Sequence, residues 1–212
     1  MNTPAQIPLP FRPHGGLRRH AGRKPKGDKA LVNHLSRPRF DKITPAHVTL
    51  RLDQTVPSLR SSRRFAVVRR CFAAAKGKFG LRLVEFSVLS DHLHLIVEAD
   101  SNESLSRGMQ GLNIRLAKAL NAALGRTGHI FADHYHARLL LTPTDTASAI
   151  AYVLGNASRH YGNLERGEVD VFTSTSSELR WLLAFPKGWL LTAGVYSARM
   201  FALNALRKFP GW

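Results

Sequence analysis

Acidic side chains are scarce in this chain: its 212 residues include 14 Asp and Glu against 31 Lys and Arg, a net charge of +17. That imbalance far exceeds what solubility requires and points to a polyanionic partner, with nucleic acid ahead of a membrane surface. Long apolar runs are missing as well. Nothing approaches the ~20 consecutive residues of a spanning helix, and the N-terminus has no signal-peptide core, so no membrane partner is expected. Cysteine is reduced to Cys71, which excludes an intrachain disulfide and fits a reducing, cytoplasmic setting. Among Val67, Val68 and Phe72 it reads as a core residue rather than a nucleophile. There is also no helicase-like phosphate loop, which excludes opening of duplex DNA at the expense of a nucleotide. No internal repeat is present.

What remains is 44% hydrophobic, enough for one principal core with appendages. Residues 1–45 form a Pro-, Gly- and basic-rich arm that cannot bury a core. Its cations include Arg18, Arg19, Arg23, Lys24, Lys26, Arg37 and Arg39, opposed only by Asp28 and Asp41. They are expected to bind phosphates with little sequence preference. Residues 163–212 read as a tail with a polar linker at 173–177, the aromatics Trp181, Phe185, Trp189 and Trp212, and a basic amphipathic helix near 196–208. Such a tail could cover a sheet edge, make a dimer contact or stack bases. A homodimer is therefore left open.

Between arm and tail, apolar residues alternate from Ala46 to Leu52, as in a half-buried strand. A helix capped by Ser58 runs to about Lys78, with Phe65, Val68, Cys71 and Phe72 inward and Arg60, Arg63, Arg64, Arg69 and Arg70 outside. Strands at 81–89 and 92–98 follow. A helix opening at Ser101 keeps Leu105, Met109, Leu112, Ile114, Leu116, Leu120 and Leu124 on one side and closes at Gly125. A strand bent between 129–132 and 137–142 comes next, then a helix capped at Thr144-Asp145-Thr146 that runs to about His160. The order strand, helix, strand, strand, helix, strand predicts an α+β, ferredoxin-like split βαβ fold, an antiparallel sheet with an added tyrosine-bearing helix.

The strand from His92 to Glu98 carries the chemistry. Side chains alternate across it, so His92, His94 and Ile96 share one face while Leu93, Leu95 and Val97 share the other. Burying the leucine face leaves the imidazoles on the accessible side, as two nitrogen ligands for one metal ion would be. Half-buried histidines bonded to the backbone would give the same pattern. Glu98 lies farther along that face, as a ligand or as a solvated strand end. On the last helix Tyr152 and Asn156 stand four apart on one side, and that helix is free to cross the histidine face. Asp133-His134-Tyr135-His136 repeats the histidine pattern, which makes His134 and His136 a second-choice site, with Tyr135 on the opposite face.

Three segments together resemble the single-tyrosine HUH transposases, most closely the REP-associated tyrosine transposases: Asp91-His92-Leu93-His94-Leu95-Ile96-Val97, Gly125-Arg126-Thr127-Gly128-His129-Ile130-Phe131, and Ala151-Tyr152-Val153-Leu154-Gly155-Asn156. The resemblance covers residues 46–162, the transposase domain that it implies. It implies Tyr152 as the nucleophile, His92, His94 and Asn156 as ligands of Mg²⁺ or Mn²⁺, single-stranded DNA with a hairpin as the partner, and a bacterial, nucleoid-associated setting. Cleavage and rejoining through a covalent phosphotyrosine, at hairpin-forming repeat elements, is the expected activity. Two other readings stay open: a basic nucleic-acid-binding protein without chemistry, and a metal phosphodiesterase without a covalent intermediate.

Overall fold

Alternation on the first strand sets the architecture. Ala46, Val48 and Leu50 are almost completely buried while His47 and Thr49 on the other face are half-buried, so both faces of this strand are covered, each by different chemistry. The structure is a computed structural model that describes residues 39–40, 42–161 and 169–192, the side chains of 157–160 excepted. By internal contacts the chain divides into residues 1–33, which lie outside the described residues, and 34–212.

The elements are β1 (Thr44–Arg51), α1 (Ser62–Ala75), β2 (Leu81–Val88), β3 (His92–Ala99), α2 (Asn102–Leu124), β4 (His136–Leu139) and α3 (Pro143–Tyr161), followed by a 3-10 helix at Ser177–Leu182. The sheet order is β2-β3-β1-β4, and every neighbouring pair is antiparallel. This is the ferredoxin-like arrangement that the order of elements predicts. α1 and α2 cover one face, where Val48, Leu50, Phe86, Leu93, Leu95 and Val97 join Phe72, Met109, Leu116 and Leu120 in the main core. Cys71 belongs to that core, and burial pushes its thiol pKa up. α3 lies on the other face against β2 and β3, over a smaller cluster of Val84, Ile96, Leu140, Ala149, Ile150, Val153 and Leu191.

Several boundaries differ from the sequence expectation, each for a local reason. α1 is capped by Ser61, whose Oγ accepts the Arg64 N–H at 3.3 Å, and not by Ser58, whose Oγ accepts the Arg60 N–H at 3.2 Å in the turn before it. α2 begins and ends as expected, with the Ser101 hydroxyl accepting the Ser104 N–H at 3.2 Å and Gly125 at φ 61° closing it. Ile114, however, is 48% exposed and does not join the apolar side. α3 starts with Pro143, where a missing N–H costs nothing, and Thr142 rather than 144–146 supplies the capping oxygen, to the Asp145 N–H at 3.1 Å. The last strand is only four residues long. Its predicted first half makes a single bridge, Leu52 to Phe131, because the Asp133 carboxylate accepts the His134 N–H at 2.7 Å and turns the chain.

Part of the predicted tail covers a sheet edge. Val88 N–H donates to the Phe172 carbonyl, Ser174 N–H to Phe86 and Ala184 N–H to Leu83, at 2.8–3.0 Å, so residues 172–184 satisfy the free edge of β2. Arg60, expected outside, is clamped there. Its guanidinium makes two 2.9 Å bonds to Asp170 and lies 4.3 and 4.5 Å from the ring centres of Tyr161 and Phe172. The predicted helix near 196–208 and Trp212 lie outside the described residues, whereas Trp181, Phe185 and Trp189 are all exposed. Among the described residues no helix is long and apolar enough to cross a membrane.

Candidate active site

β3 begins at His92, so its first two outward positions are the two histidines, and strand alternation puts both rings on the α3 face. Their Nε2 atoms are 3.1 Å apart, with ring centres 4.7 Å apart and planes at 86°. His92 is fixed from behind: Asp91 Oδ1 lies 2.7 Å from its Nδ1. Partial burial pushes the Asp91 pKa up, but the hydrogen bond and charge of His92, with the Arg51 charge behind them, outweigh it and hold the carboxyl below its ordinary value. His94 is fixed in the same sense by residues of the next strand. His47 Nε2 lies 3.0 Å and Thr49 Oγ1 3.2 Å from its Nδ1. Burial, then the charges of Arg138 and His136, lower the His47 pKa to about 4, so its ring is neutral near pH 7.

The imidazoles are not on an open face. His94 is 5% exposed, because α3 crosses above it and sets the Tyr152 ring 5.3 Å from it, edge-on. The same ring is 5.7 Å from His47 and is itself 38% exposed. One turn farther along α3, Asn156 is 1% exposed, and its Nδ2 has no hydrogen-bond partner among the described residues. Beside Tyr152 opens a cleft of about 400 Å³ lined by His47, Arg138, Ser148, Ala149, Ala151 and Tyr152. The half-exposed phenol and His47 line this cleft with Arg138, whose guanidinium is paired with Asp145, while the His94 ring lies behind Tyr152 and His47.

These residues fit a divalent ion in a limited sense. If both Nδ1 atoms carry the protons, two Nε2 lone pairs face each other, which is unfavourable unless a proton or cation lies between them. Two ligands at right angles on an ion with bonds of ~2.1 Å stand about 3.0 Å apart, close to the separation seen. The Asn156 amide, buried one turn from Tyr152 with its Nδ2 unpartnered among the described residues, is the polar group that α3 brings to this side of the sheet. No group of three or more His, Cys, Asp or Glu side chains arranged to hold a metal occurs among the described residues.

The remaining sequence candidates separate. His134 and His136 are both exposed, while Tyr135 between them is 8% exposed and joins the main core. Glu98 is not a solvated strand end: it is fully buried, accepting from Arg82 Nε at 2.6 Å and from the N–H groups of Lys187 and Gly188 at 2.8 and 2.7 Å. Arg39 is exposed, whereas Arg18, Arg19, Arg23, Lys24, Lys26 and Arg37 lie outside the described residues. His47, Thr49 and Arg138 went unnoticed in the sequence. The polar half of the Ala46–Leu52 alternation was their signal, since its residues had to share a sheet face with something.

The comparisons with known proteins bear on this geometry. The family model for "Transposase IS200 like" matches residues 46–155, which run from β1 through Tyr152. Among solved structures, a REP-associated tyrosine transposase bound to a REP hairpin is similar, with TM-score 0.54 and 15% identity over 74% of this chain and 92% of that one. A putative transposase from Deinococcus radiodurans R1 matches with TM-score 0.41 and 15% identity over 50% of this chain and 85% of that one. No curated protein matches. The first of these structures shows a shared fold.

Proposed function

Since the chain belongs to the IS200-like transposase family, we propose that it cuts and rejoins single-stranded DNA beside a hairpin, with Tyr152 as the nucleophile. The observation that carries this reading is the Tyr152 ring standing 5.3 Å from His94 while the His92 and His94 Nε2 atoms face each other at 3.1 Å. The phenol oxygen gives up its proton and attacks phosphorus. A bond forms from Tyr152 to the 5′ phosphate, the bond to the 3′ oxygen breaks, and that oxygen leaves as a hydroxyl after taking up a proton. A second 3′ hydroxyl attacking the phosphotyrosine reverses the exchange on a new strand, and no nucleotide is consumed.

In this reading His92, His94 and Asn156 would hold Mg²⁺ or Mn²⁺, which as a Lewis acid would draw charge from the phosphate. Asp91 keeps the His92 ring oriented. α3 keeps Tyr152 and Asn156 a single turn apart, so the phenol and the amide move as one rigid unit. Arg138, half-exposed at the cleft rim where Asp145 Oδ1 accepts from its Nη1, would offer the rest of its guanidinium to a phosphate oxygen. We assign residues 46–162 to the catalytic domain, 1–45 to a phosphate-binding arm and 163–212 to a tail. The hairpin as partner is supported by the fold shared with a transposase whose structure holds one.

The test is cleavage of end-labelled DNA by the full chain with Mg²⁺ or with a chelator. A single strand carrying a hairpin is expected to be cut only with the metal, and the matching blunt duplex far more slowly. Equal rates on both substrates, or cutting that survives chelation, would contradict the proposal.

A further inference from the structure

We propose that His47 is a positioning residue for the imidazole pair: its Nε2 accepts the Nδ1 proton of His94 and so holds the His94 Nε2 toward His92. The inference rests on the proposed metal site. An imidazole that offers Nε2 to a cation must carry its proton on Nδ1, and that proton needs an acceptor to fix both tautomer and ring angle. His92 has a carboxylate for this, Asp91 at 2.7 Å. His94 Nδ1 faces residues of β1. Within reach are the ring nitrogen of His47 at 3.0 Å and the hydroxyl of Thr49 at 3.2 Å. The nearer of them, a ring nitrogen, needs only a proton on its own Nδ1 to be a full acceptor, whereas the hydroxyl also carries a proton that must be directed elsewhere.

His47 is well placed for this role because it cannot easily move. It sits on β1, which is interior to the sheet and paired on both sides, opposite Ile96 of β3 and Arg138 of β4. Its ring lies 5.0 Å from that of His94 and 5.7 Å, edge-on, from that of Tyr152. One ring therefore touches both the proposed ligand and the proposed nucleophile. His47 also lines the cleft beside Tyr152, so the positioning contact lies where substrate would enter.

Two substitutions separate this role from plain packing. His47→Phe keeps a ring against Tyr152 and removes the acceptor; His47→Gln removes the ring and offers an amide oxygen to the same proton. The measurement is Mn²⁺ titration of the chelator-stripped full chain, followed by the free-ion electron paramagnetic resonance signal, with His92→Ala as control. His47→Phe is expected to weaken Mn²⁺ binding about 10–100-fold, and His47→Gln to restore most of it. Wild-type affinity in His47→Phe, or a loss in His47→Gln as large as in His47→Phe, with His92→Ala still impaired, would overturn the role of His47 alone. Equal binding by wild type and His92→Ala would overturn the metal site itself and the inference with it.

Discussion

Under α1 and α2 the sheet meets a continuous apolar layer, in which Leu50, Leu93 and Leu95 are at most 1% exposed. Under α3 the same strands turn His47, Thr49, His92 and His94 toward a helix that carries Tyr152 and Asn156, and the apolar cluster shrinks to seven buried residues. The first face uses its helices to exclude water from hydrocarbon, so its free energy lies in packing. The second gives up apolar area and fills the gap with groups that satisfy one another through hydrogen bonds, Asp91 to His92 and His47 to His94. One sheet thus separates an apolar face that holds the fold from a polar face that carries the proposed chemistry. Substitutions on the first face should therefore change stability, and those in the imidazole cluster of the second should change activity with little effect on folding.

The largest effect on stability is expected from Leu95→Ala. The side chain is fully buried in the main core, and urea denaturation should show a loss of about 2–5 kcal/mol. A loss below about 1 kcal/mol would mean that this face is not the one that holds the fold. Next comes Glu98→Gln, which exchanges a buried carboxylate bonded to Arg82 and two backbone N–H groups for an amide that can satisfy them only in part. About 1–3 kcal/mol should be lost in the same assay. The smallest loss belongs to His92→Ala. Its partner Asp91 has a side chain 62% exposed, so the stability change should stay within about 1 kcal/mol, while DNA cleavage disappears. If His92→Ala unfolds the chain as readily as Leu95→Ala does, the division between the faces fails.

Much of the helix-covered face could be read from local pattern. The alternation at 92–98 separated the leucines from the histidines, and the four-residue spacing of Tyr152 and Asn156 placed them one turn apart on α3. Contacts set by cross-strand register could not be read in the same way. Nothing near His47 in sequence announces that it will lie beside His94, 47 positions away; that follows from β1 pairing with β3 in one register and no other. Glu98 illustrates the same point: its burial depends on Arg82 from β2 and on Lys187 and Gly188 from a segment about 90 residues later. The start of α1 was missed for a smaller reason. Ser58 and Ser61 are both able to cap, and the choice depends on where the preceding turn leaves the chain. The shortened last strand reflects the Asp133 turn, which competes with the ladder for a backbone N–H.

The central claim is that the second face forms a covalent bond to DNA, and denaturing electrophoresis tests it most directly. Wild-type protein, Mg²⁺ or Mn²⁺ and a labelled hairpin strand should give a denaturation-resistant protein–DNA adduct, and peptide mapping should place the label on Tyr152. Tyr152→Phe keeps the ring 5.3 Å from His94 without its oxygen. It should fold and bind the strand normally while strand cleavage falls by ~10⁴-fold or more and no adduct forms. An undiminished adduct from Tyr152→Phe, or label mapped to another residue such as Tyr135 or Tyr161, would contradict the account.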